Sequence, residues 1–65
     1  MITLTRLNHS QFVLNSDLVE TIESTPDTVV TLTNSQKVVV KETPQEVVNR
    51  IIEFRRQLAI APRTV

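Results

Sequence analysis

The residues that could carry out catalysis are few and scattered in this chain of 65 residues. His9 is its single histidine, and Ser10 and Asp17 are the side chains that could join it in a hydroxyl, imidazole and carboxylate set. His9 falls in a predicted hairpin loop, where an imidazole lacks the burial that usually prepares a general base. We therefore expect His9 to be an exposed turn residue, and we predict no catalytic residues.

Cofactor and metal sites are not predicted either. The chain contains no glycine, so neither of the common Gly-rich phosphate loops can form, and it contains no cysteine. Glu20 and Glu23 are expected on opposite faces of a strand, as solvated charges rather than paired catalytic carboxylates. One histidine with scattered acids also lacks the ligand spacing of zinc or calcium sites. We expect no cofactor, no metal and no enzymatic activity.

The clearest structural signal is a β-hairpin spanning residues 27–42. Thr and Val dominate both arms, and these β-branched side chains favour strands. Asn34 and Ser35 supply the turn. A three-residue loop is expected, because it places the apolar side chains on one face and the polar ones, with Val39, on the other. That apolar face consists of Val30, Leu32, Val38 and Val40.

A first hairpin is predicted near the N-terminus. Residues 2–7 alternate apolar and polar, and residues 11–15 pair with them across a loop of residues 8–10. The apolar face of this hairpin would contain Ile2, Leu4, Phe12 and Leu14. This register would place Arg6 opposite Phe12.

A capping box marks the start of a C-terminal helix. Thr43 occupies the N-cap, Pro44 the first helical position and Glu46 the third. The apolar residues that follow recur with helical rather than strand period. The helix is predicted to run from Pro44 to about residue 61, because Pro62 pushes the preceding residue out of the α region.

The remaining segments complete the fold. A helical or 3₁₀ turn is expected at residues 15–17, and a third strand at residues 19–24 that ends at Pro26. The predicted fold class is α+β, a five-stranded antiparallel β-meander with one C-terminal α-helix packed on one face. Residues 1–61 form a single domain in this prediction, and residues 62–65 form a tail.

One charged residue interrupts the apolar arc of the predicted helix. Arg55 lies at the centre of an arc of otherwise apolar side chains. A helix of about 17 residues is roughly 25 Å long, whereas a strand of five or six residues spans about 17–20 Å, so the helix end should overhang the sheet. Arg55 either extends its stem over the sheet edge with its charge in water, or contacts a partner. The candidate subunit or partner contact is formed by Phe54, Arg55, Arg56, Leu58 and Ile60.

The small size of the chain favours self-association. A domain of this length buries only about 60% of the surface of its unfolded chain, and it usually needs disulfides, a metal or a partner subunit. The sequence also predicts a second apolar patch, on the sheet face away from the helix. We expect a homo-oligomer, with this candidate outer sheet-face patch formed by Leu7, Val13, Val29 and Val39.

The composition argues against several classes of partner. Seven Lys and Arg residues balance seven Asp and Glu residues, so no net charge attracts nucleic acid or anionic lipid. No apolar run approaches the roughly 20 residues that span a bilayer, and no secretory signal is recognisable. We expect a cytoplasmic protein with no membrane insertion and no nucleic acid partner.

Four stretches of the sequence together resemble one protein family. These stretches are Met1-Ile2-x-Leu4-Thr5-Arg6-Leu7-Asn8, Phe12-x-Leu14-Asn15-x-Asp17-Leu18-x-Glu20-x-Ile22-Glu23, Thr25-Pro26-Asp27-Thr28 and Leu32-Thr33-Asn34. They closely resemble the FlbD/SwrD family of small flagellar proteins and cover nearly the whole chain. The spacing between the second and third stretches is the most specific feature.

The resemblance implies a role in bacterial flagellar or swarming motility. Members of the family are associated with support of flagellar motor power and not with a catalysed reaction, so a stator or rotor protein at the membrane is a candidate partner. The family favours glycine after asparagine at both hairpin turns, where this chain has His9 and Ser35.

A second interpretation is a small RNA-binding post-transcriptional regulator. The segment Leu4-Thr5-Arg6 is similar to the first strand of the carbon storage regulator family, and the resemblance ends there. RNA-binding domains of this size normally show a basic surface or aromatic residues for base stacking. This chain is neutral, and its two aromatic residues, Phe12 and Phe54, fall on predicted core faces. A purely structural oligomerisation module is a third interpretation.

Overall fold

The computed structural model describes residues 1–60, with the side chains of residues 1–58. Within residues 1–60, five strands, one 3₁₀ turn and one α-helix follow one another. Their bounds are β1 Ile2–Thr5, β2 Gln11–Leu14, the 3₁₀ turn Ser16–Leu18, β3 Val19–Glu23, β4 Thr28–Leu32, β5 Lys37–Val40 and α1 Pro44–Ile60. The predicted α+β fold is confirmed, whereas the predicted helix end near residue 61 and the tail of residues 62–65 lie outside the described residues.

The strands form two antiparallel sheets in meander-like order. β1 pairs with β2, and β3, β4 and β5 form the second sheet in that order. An isolated bridge between Arg6 and Val40 joins the two sheets. Beside it, the main-chain amide of Lys41 donates a hydrogen bond of 2.8 Å to the carbonyl of Thr5. The junction is this short because β5 ends at Val40 and the chain turns towards α1.

The core lies between the inner faces of both sheets and the start of α1. Alternate residues of the strands supply it, as the period of 2 in the sequence predicts. The buried apolar residues are Ile2, Leu4, Leu14, Val30, Leu32, Val40 and Val47. Every layer of the fold therefore contributes to one cluster.

The central hairpin has the predicted loop length and apolar face. Val30 pairs with Val38 and Thr28 with Val40, across a loop of residues 33–35. The amide of Ser35 donates to the carbonyl of Leu32 and closes this loop at 2.9 Å. The three-residue loop inferred from the apolar pattern is confirmed.

The first hairpin differs from the predicted register. Leu4 pairs with Phe12, and the amide of Arg6 donates to the carbonyl of Ser10, so the loop consists of residues 7–9. The placement of Arg6 opposite Phe12 was wrong by two residues along the strand, which preserves the faces because their period is 2. The Arg6 guanidinium nevertheless lies over the Phe12 ring, 4.3 Å from its centroid, as a diagonal cation–π contact.

A bulge in β3 allows two residues three positions apart to face the same core. Val19 pairs with Leu32, but Thr21 pairs with Thr31, so Glu20 is an extra residue in the ladder. An added residue shifts the alternation of side chains. Val19 and Ile22 therefore both pack against the core. Glu20 and Glu23 are both exposed, as expected for solvated charges.

The helix begins with the predicted capping box. The Thr43 amide donates to Oε1 of Glu46 at 3.0 Å, and the Glu46 amide donates to Oγ1 of Thr43 at 3.1 Å. These bonds satisfy two main-chain amides that a helix N-terminus otherwise leaves without partners.

Both three-residue loops end in a residue with left-handed backbone. The φ angle is 72° at His9 and 71° at Ser35. In each loop the preceding asparagine, Asn8 or Asn34, accepts a hydrogen bond of 3.0 Å on its side-chain oxygen from the amide two residues later. A left-handed conformation costs a residue with a Cβ atom about 1–2 kcal/mol, and glycine avoids that cost.

We expect His9→Gly and Ser35→Gly each to raise the free energy of unfolding by about 0.5–1 kcal/mol, because the relief of strain exceeds the added entropy of the unfolded chain. Urea denaturation measures this change. Gln36→Gly is the matched control, since Gln36 is not among the residues with positive φ, and it should be neutral or destabilising. Equal effects at positions 35 and 36 would contradict the strain argument.

Candidate functional site

Only one side of the helix arc packs against the sheets. Val47 is fully buried, and Ile51 and Phe54 are half-buried against the core cluster. These residues follow the i, i+4, i+7 spacing of a single stripe. Among the strands, β1 makes the most extensive contact with α1. The N-terminal half of the helix is therefore anchored on β1.

Two further residues of the apolar arc face solvent. Val48 is 36% exposed and Ile52 50% exposed. At 100° per residue they lie about one quarter-turn around the helix from Val47 and Ile51. The predicted packing of the helix on the sheet therefore uses only part of the apolar arc. The contact with β1 accommodates one stripe of side chains, and the second stripe lies beyond it.

The predicted contact at the helix end contains residues in different environments. Phe54 packs partly against the core, whereas Arg55, Arg56 and Leu58 are exposed. Ile60 is the last described residue of α1, and its side chain is outside the described set. The exposure of the three central residues agrees with an overhanging helix. Their contact with a partner stays a prediction.

The two adjacent arginines have different neighbours. Nη2 of Arg55 lies 3.9 Å from Oδ1 of Asp17, which follows β2 in the 3₁₀ turn. Nη1 of Arg56 lies 3.5 Å from Oε2 of Glu53, one turn earlier on the same helix. All four side chains are more than half exposed. Such solvent-screened pairs contribute only about 0–1 kcal/mol each to stability.

The candidate outer sheet-face patch is divided between different parts of the fold. Val29 and Val39 are direct cross-strand partners and are half-buried. Val13 pairs with Thr3 in the other sheet and is exposed. Leu7 is exposed in the first hairpin loop. The structure thus makes neighbours of Val29 and Val39, and a shared role for all four residues stays a prediction.

A buried carboxylate that the sequence analysis did not identify joins β1 to the helix. Glu42 is only 7% exposed. Its Oε1 accepts from the Thr5 amide at 2.9 Å, and its Oε2 accepts from the Thr5 hydroxyl at 2.8 Å. Nη1 of Arg50 donates to the same Oε2 at 3.1 Å and also to the carbonyl of Thr3. We call Thr5, Glu42 and Arg50 the Glu42 cluster.

The Glu42 cluster takes the place of a neighbouring strand. In the β1–β2 ladder the main-chain groups of Thr3 and Thr5 point away from β2, because hydrogen-bonding direction alternates along a strand. The Lys41 amide donates a hydrogen bond to the Thr5 carbonyl, and after Lys41 the main chain turns towards α1. Side chains continue the pairing, since Glu42 accepts from the Thr5 amide and Arg50 donates to the Thr3 carbonyl. The cluster therefore caps the β1 edge and fixes α1 against it.

The environment of Glu42 favours its charged form. Burial raises the pKa of this carboxyl, but the hydrogen bonds from the Thr5 amide and hydroxyl, together with the Arg50 guanidinium, outweigh burial and hold the pKa below its ordinary value. A carboxylate that accepts several hydrogen bonds is stabilised as the anion. Glu42 is thus ionised at neutral pH.

One sequence signal could have identified Glu42. It occupies the position before the N-cap, which commonly carries an apolar side chain that packs on the fourth helical residue, here Val47. A carboxylate at that position, eight residues before Arg50, is a departure that requires a partner. Its partner Thr5 is 37 residues away in the chain, so spacing alone does not connect them.

Groups suited to other chemistries are dispersed. His9 is exposed in its loop, as expected. Within residues 1–60, no three His, Cys, Asp or Glu side chains converge in a way that could hold a metal ion. No helix in that range is long and apolar enough to span a bilayer.

A shallow groove of about 380 Å³ follows the junction of α1 and β1, with Met1, Thr3, Arg50 and Phe54 among its lining residues.

Comparison with known protein families identifies the family of this chain. A family model described as flagellar and swarming motility proteins matches residues 1–59. The chain belongs to the FlbD family. The FlbD match includes all five strands, the Glu42 cluster and all but the last residue of α1, and it confirms the resemblance carried by the four sequence stretches. No curated protein and no solved structure matches the chain.

Proposed function

We propose that this FlbD protein is a non-enzymatic accessory of flagellar and swarming motility that supports the power of the flagellar motor through protein contacts. Its membership of a flagellar and swarming motility family supports this proposal. The observation that carries the contact mechanism is the apolar side of α1 that β1 leaves exposed. In this proposal the protein acts at the cytoplasmic side of the motor.

The fold suits a contact protein because its helix is held rigidly at one end. The capping box, Val47 and the Glu42 cluster fix the first turns of α1. The later turns extend with exposed apolar and arginine side chains. A helix fixed in this way presents an ordered surface, which lowers the entropy lost on binding.

Self-association is a further part of the proposal. Val29 and Val39 form a half-buried apolar pair on the outer sheet face, and two such pairs can meet in a two-fold contact. Light scattering at micromolar concentration should then give a mass above the 7.4 kDa of one chain. A mass of one chain at all concentrations would remove self-association from the proposal.

Deletion of the gene tests the functional proposal. We expect deleted cells to assemble normal numbers of filaments but to swim and swarm more slowly, with reduced torque in a tethered-cell or bead assay. Expression of the protein from a plasmid should restore torque. A His9→Ala protein should restore it equally, because His9 is an exposed loop residue and no chemistry depends on it.

Three results would contradict the proposal. Unchanged torque after deletion would show that the protein does not support the motor. Loss of function in a folded His9→Ala protein would indicate chemistry at that residue. Specific, salt-resistant RNA binding by the purified protein would favour a post-transcriptional regulator.

A further inference from the structure

The second stripe of α1 has a defined composition. Val48, Ile52 and Arg55 follow the i, i+4, i+7 spacing, which places them within about 60° of one another around the helix. We call these three residues the exposed stripe. We propose that the exposed stripe binds an amphipathic helix of a partner protein that carries acidic residues beside its apolar face. This inference rests on the proposed function and specifies the chemistry of the motor-side partner.

The apolar part of the stripe fits a helix as its ligand. Val48 and Ile52 are one turn apart and remain 36% and 50% exposed although they lie on a well-anchored helix. Side chains spaced in this way form the ridge that packs between the side chains of a second helix. The i, i+4, i+7 pattern is also the usual spacing of anchors in helix recognition.

The charge of the stripe specifies an acidic partner. Arg55 is 65% exposed, and its pair with Asp17 is long, at 3.9 Å, and screened by solvent. The acids of α1 point elsewhere, because Glu46 is bound to the helix cap and Glu53 to Arg56. At 100° per residue both acids lie more than about 90° from the stripe. A partner carboxylate beside Arg55 would therefore meet a cation and no acid of α1, and it would compete with Asp17 for that cation.

A second copy of the chain fits the stripe less well. An antiparallel pair of α1 helices centred between Ile52 and Arg55 would set each Arg55 against the Ile52 of the other copy. The two Arg55 side chains would then lie in the same apolar contact between the helices. Neither helix places an acidic side chain there, so the repulsion of like charges opposes this arrangement.

A membrane surface also fits less well than a protein helix. Helices that lie on bilayers combine a broad apolar face, often with Trp, Phe and Leu, with a strongly basic polar face. The exposed stripe presents Val48 and Ile52, and the chain has no net charge. The stripe is thus narrow and weakly charged, as in a contact between two helices.

A designed peptide tests the inference directly. The probe is a synthetic amphipathic helix of about 20 residues with leucine at i, i+4 and i+7 and glutamate on both flanks. Two-dimensional NMR of the labelled protein should show shifts centred on Val48, Ile52 and Arg55, and titration gives the Kd. A matched peptide with lysine in place of glutamate should bind more weakly, and binding of the acidic peptide should weaken with salt.

Two exposed cations, one on the stripe and one on a strand, provide a pair of variants. Arg55→Gln should weaken binding of the acidic peptide by about three- to fivefold, as expected for an exposed ion pair. Lys37→Gln removes one positive charge from an exposed position of β5, which is not on the helix, and should change the Kd by less than about twofold. Ile52→Ser should weaken binding by about tenfold through lost apolar contact.

Each contrary result overturns the inference in a distinguishable way. Equal effects of Arg55→Gln and Lys37→Gln would show that general charge, and not the stripe, attracts the peptide. Stripe shifts that depend on protein concentration without peptide would assign the surface to a second copy. Shifts on anionic phosphatidylglycerol vesicles but not on peptide would assign it to a membrane.

Motility separates this inference from the proposed function. If deletion reduces torque but the Ile52→Ser and Arg55→Gln proteins both restore it fully, the stripe inference fails and the proposed function stands. If deletion leaves torque unchanged, the proposed function fails whatever the peptide result. The inference requires both variants to restore torque less well than Lys37→Gln.

Discussion

Glu42→Ala should lower the free energy of unfolding by about 3 kcal/mol, because it removes three hydrogen bonds to a charged group and leaves the Thr5 donors without a partner. A domain of this size is stabilised by only roughly 3–10 kcal/mol in total. The variant should therefore be partly unfolded at 37 °C. Urea denaturation followed by circular dichroism measures the change.

The matched control is a carboxylate on an exposed strand position. Glu20→Ala removes the same group from the bulge of β3, where it is solvated, and it should change the free energy of unfolding by less than about 0.5 kcal/mol. Equal destabilisation by the two substitutions would show that Glu42 has no special role in holding β1 to α1. The Arg50→Gln protein should lose less than Glu42→Ala, because Thr5 keeps its carboxylate partner.

Glu42 should also make stability depend on pH. Its pKa is lowered in the folded protein from the ordinary value of 4.5, so the unfolded chain binds a proton more readily than the native one. The resulting stabilisation is fully present above pH 4.5 and is lost as the pH falls through the lowered pKa. Other carboxyl groups also titrate in this range, so the informative quantity is the difference between the native protein and Glu42→Gln.

That difference in free energy of unfolding should be largest at neutral pH and should shrink below pH 4.5. Glu42→Gln keeps the side-chain shape but cannot accept hydrogen bonds at both terminal atoms. Thermal unfolding of both proteins between pH 2 and pH 7 provides the measurement. A difference that is constant with pH would show that ionised Glu42 does not contribute.

Leu4→Ala should destabilise the protein by about 3–4 kcal/mol, the usual cost of a cavity in a packed core. Leu4 is fully buried and pairs with Phe12 on the inner face of β1, where both sheets and α1 meet. The midpoint of urea denaturation should fall while the slope stays constant. This variant should also fail to restore motility, because too little folded protein would remain.

Leu18→Ala is the control for Leu4→Ala. Leu18 is the last residue of the 3₁₀ turn and is 43% exposed, so the same truncation removes a side chain already partly in contact with water. We expect a loss below about 1 kcal/mol. A loss as large as that of Leu4→Ala would mean that the core does not centre on β1.

Local patterns predicted much of the fold. The capping box at Thr43 involves residues three apart, so nearby side chains are sufficient to start the helix. The faces of the central hairpin followed from its apolar pattern, because a shift by one residue would move Val30 and Leu32 to the solvent face. The register of the first hairpin did not follow in this way. Two registers preserve its apolar face, and the structure has the one in which Leu4 pairs with Phe12.

Contacts between residues far apart in the sequence could not be predicted from local patterns. The bulge at Glu20 was not visible because an extra residue in a strand leaves little composition signal, and only its pairing with β4 reveals it. The Glu42 cluster was missed because Thr5 and Glu42 are 37 residues apart and each looks like an ordinary polar residue. The division of the helix arc into a buried and an exposed stripe also depends on where β1 ends.

The sequence by itself determined the existence of the strands, the central turn, the start of the helix and the family, since each depends on neighbouring side chains or on a stretch of residues in fixed order. The tertiary structure alone decided which charges are buried and which apolar residues are exposed. Burial is a property of the packed arrangement, because a side chain loses its water only when another element covers it. Glu42 is therefore buried beside Thr5, and Ile52 remains available to a partner.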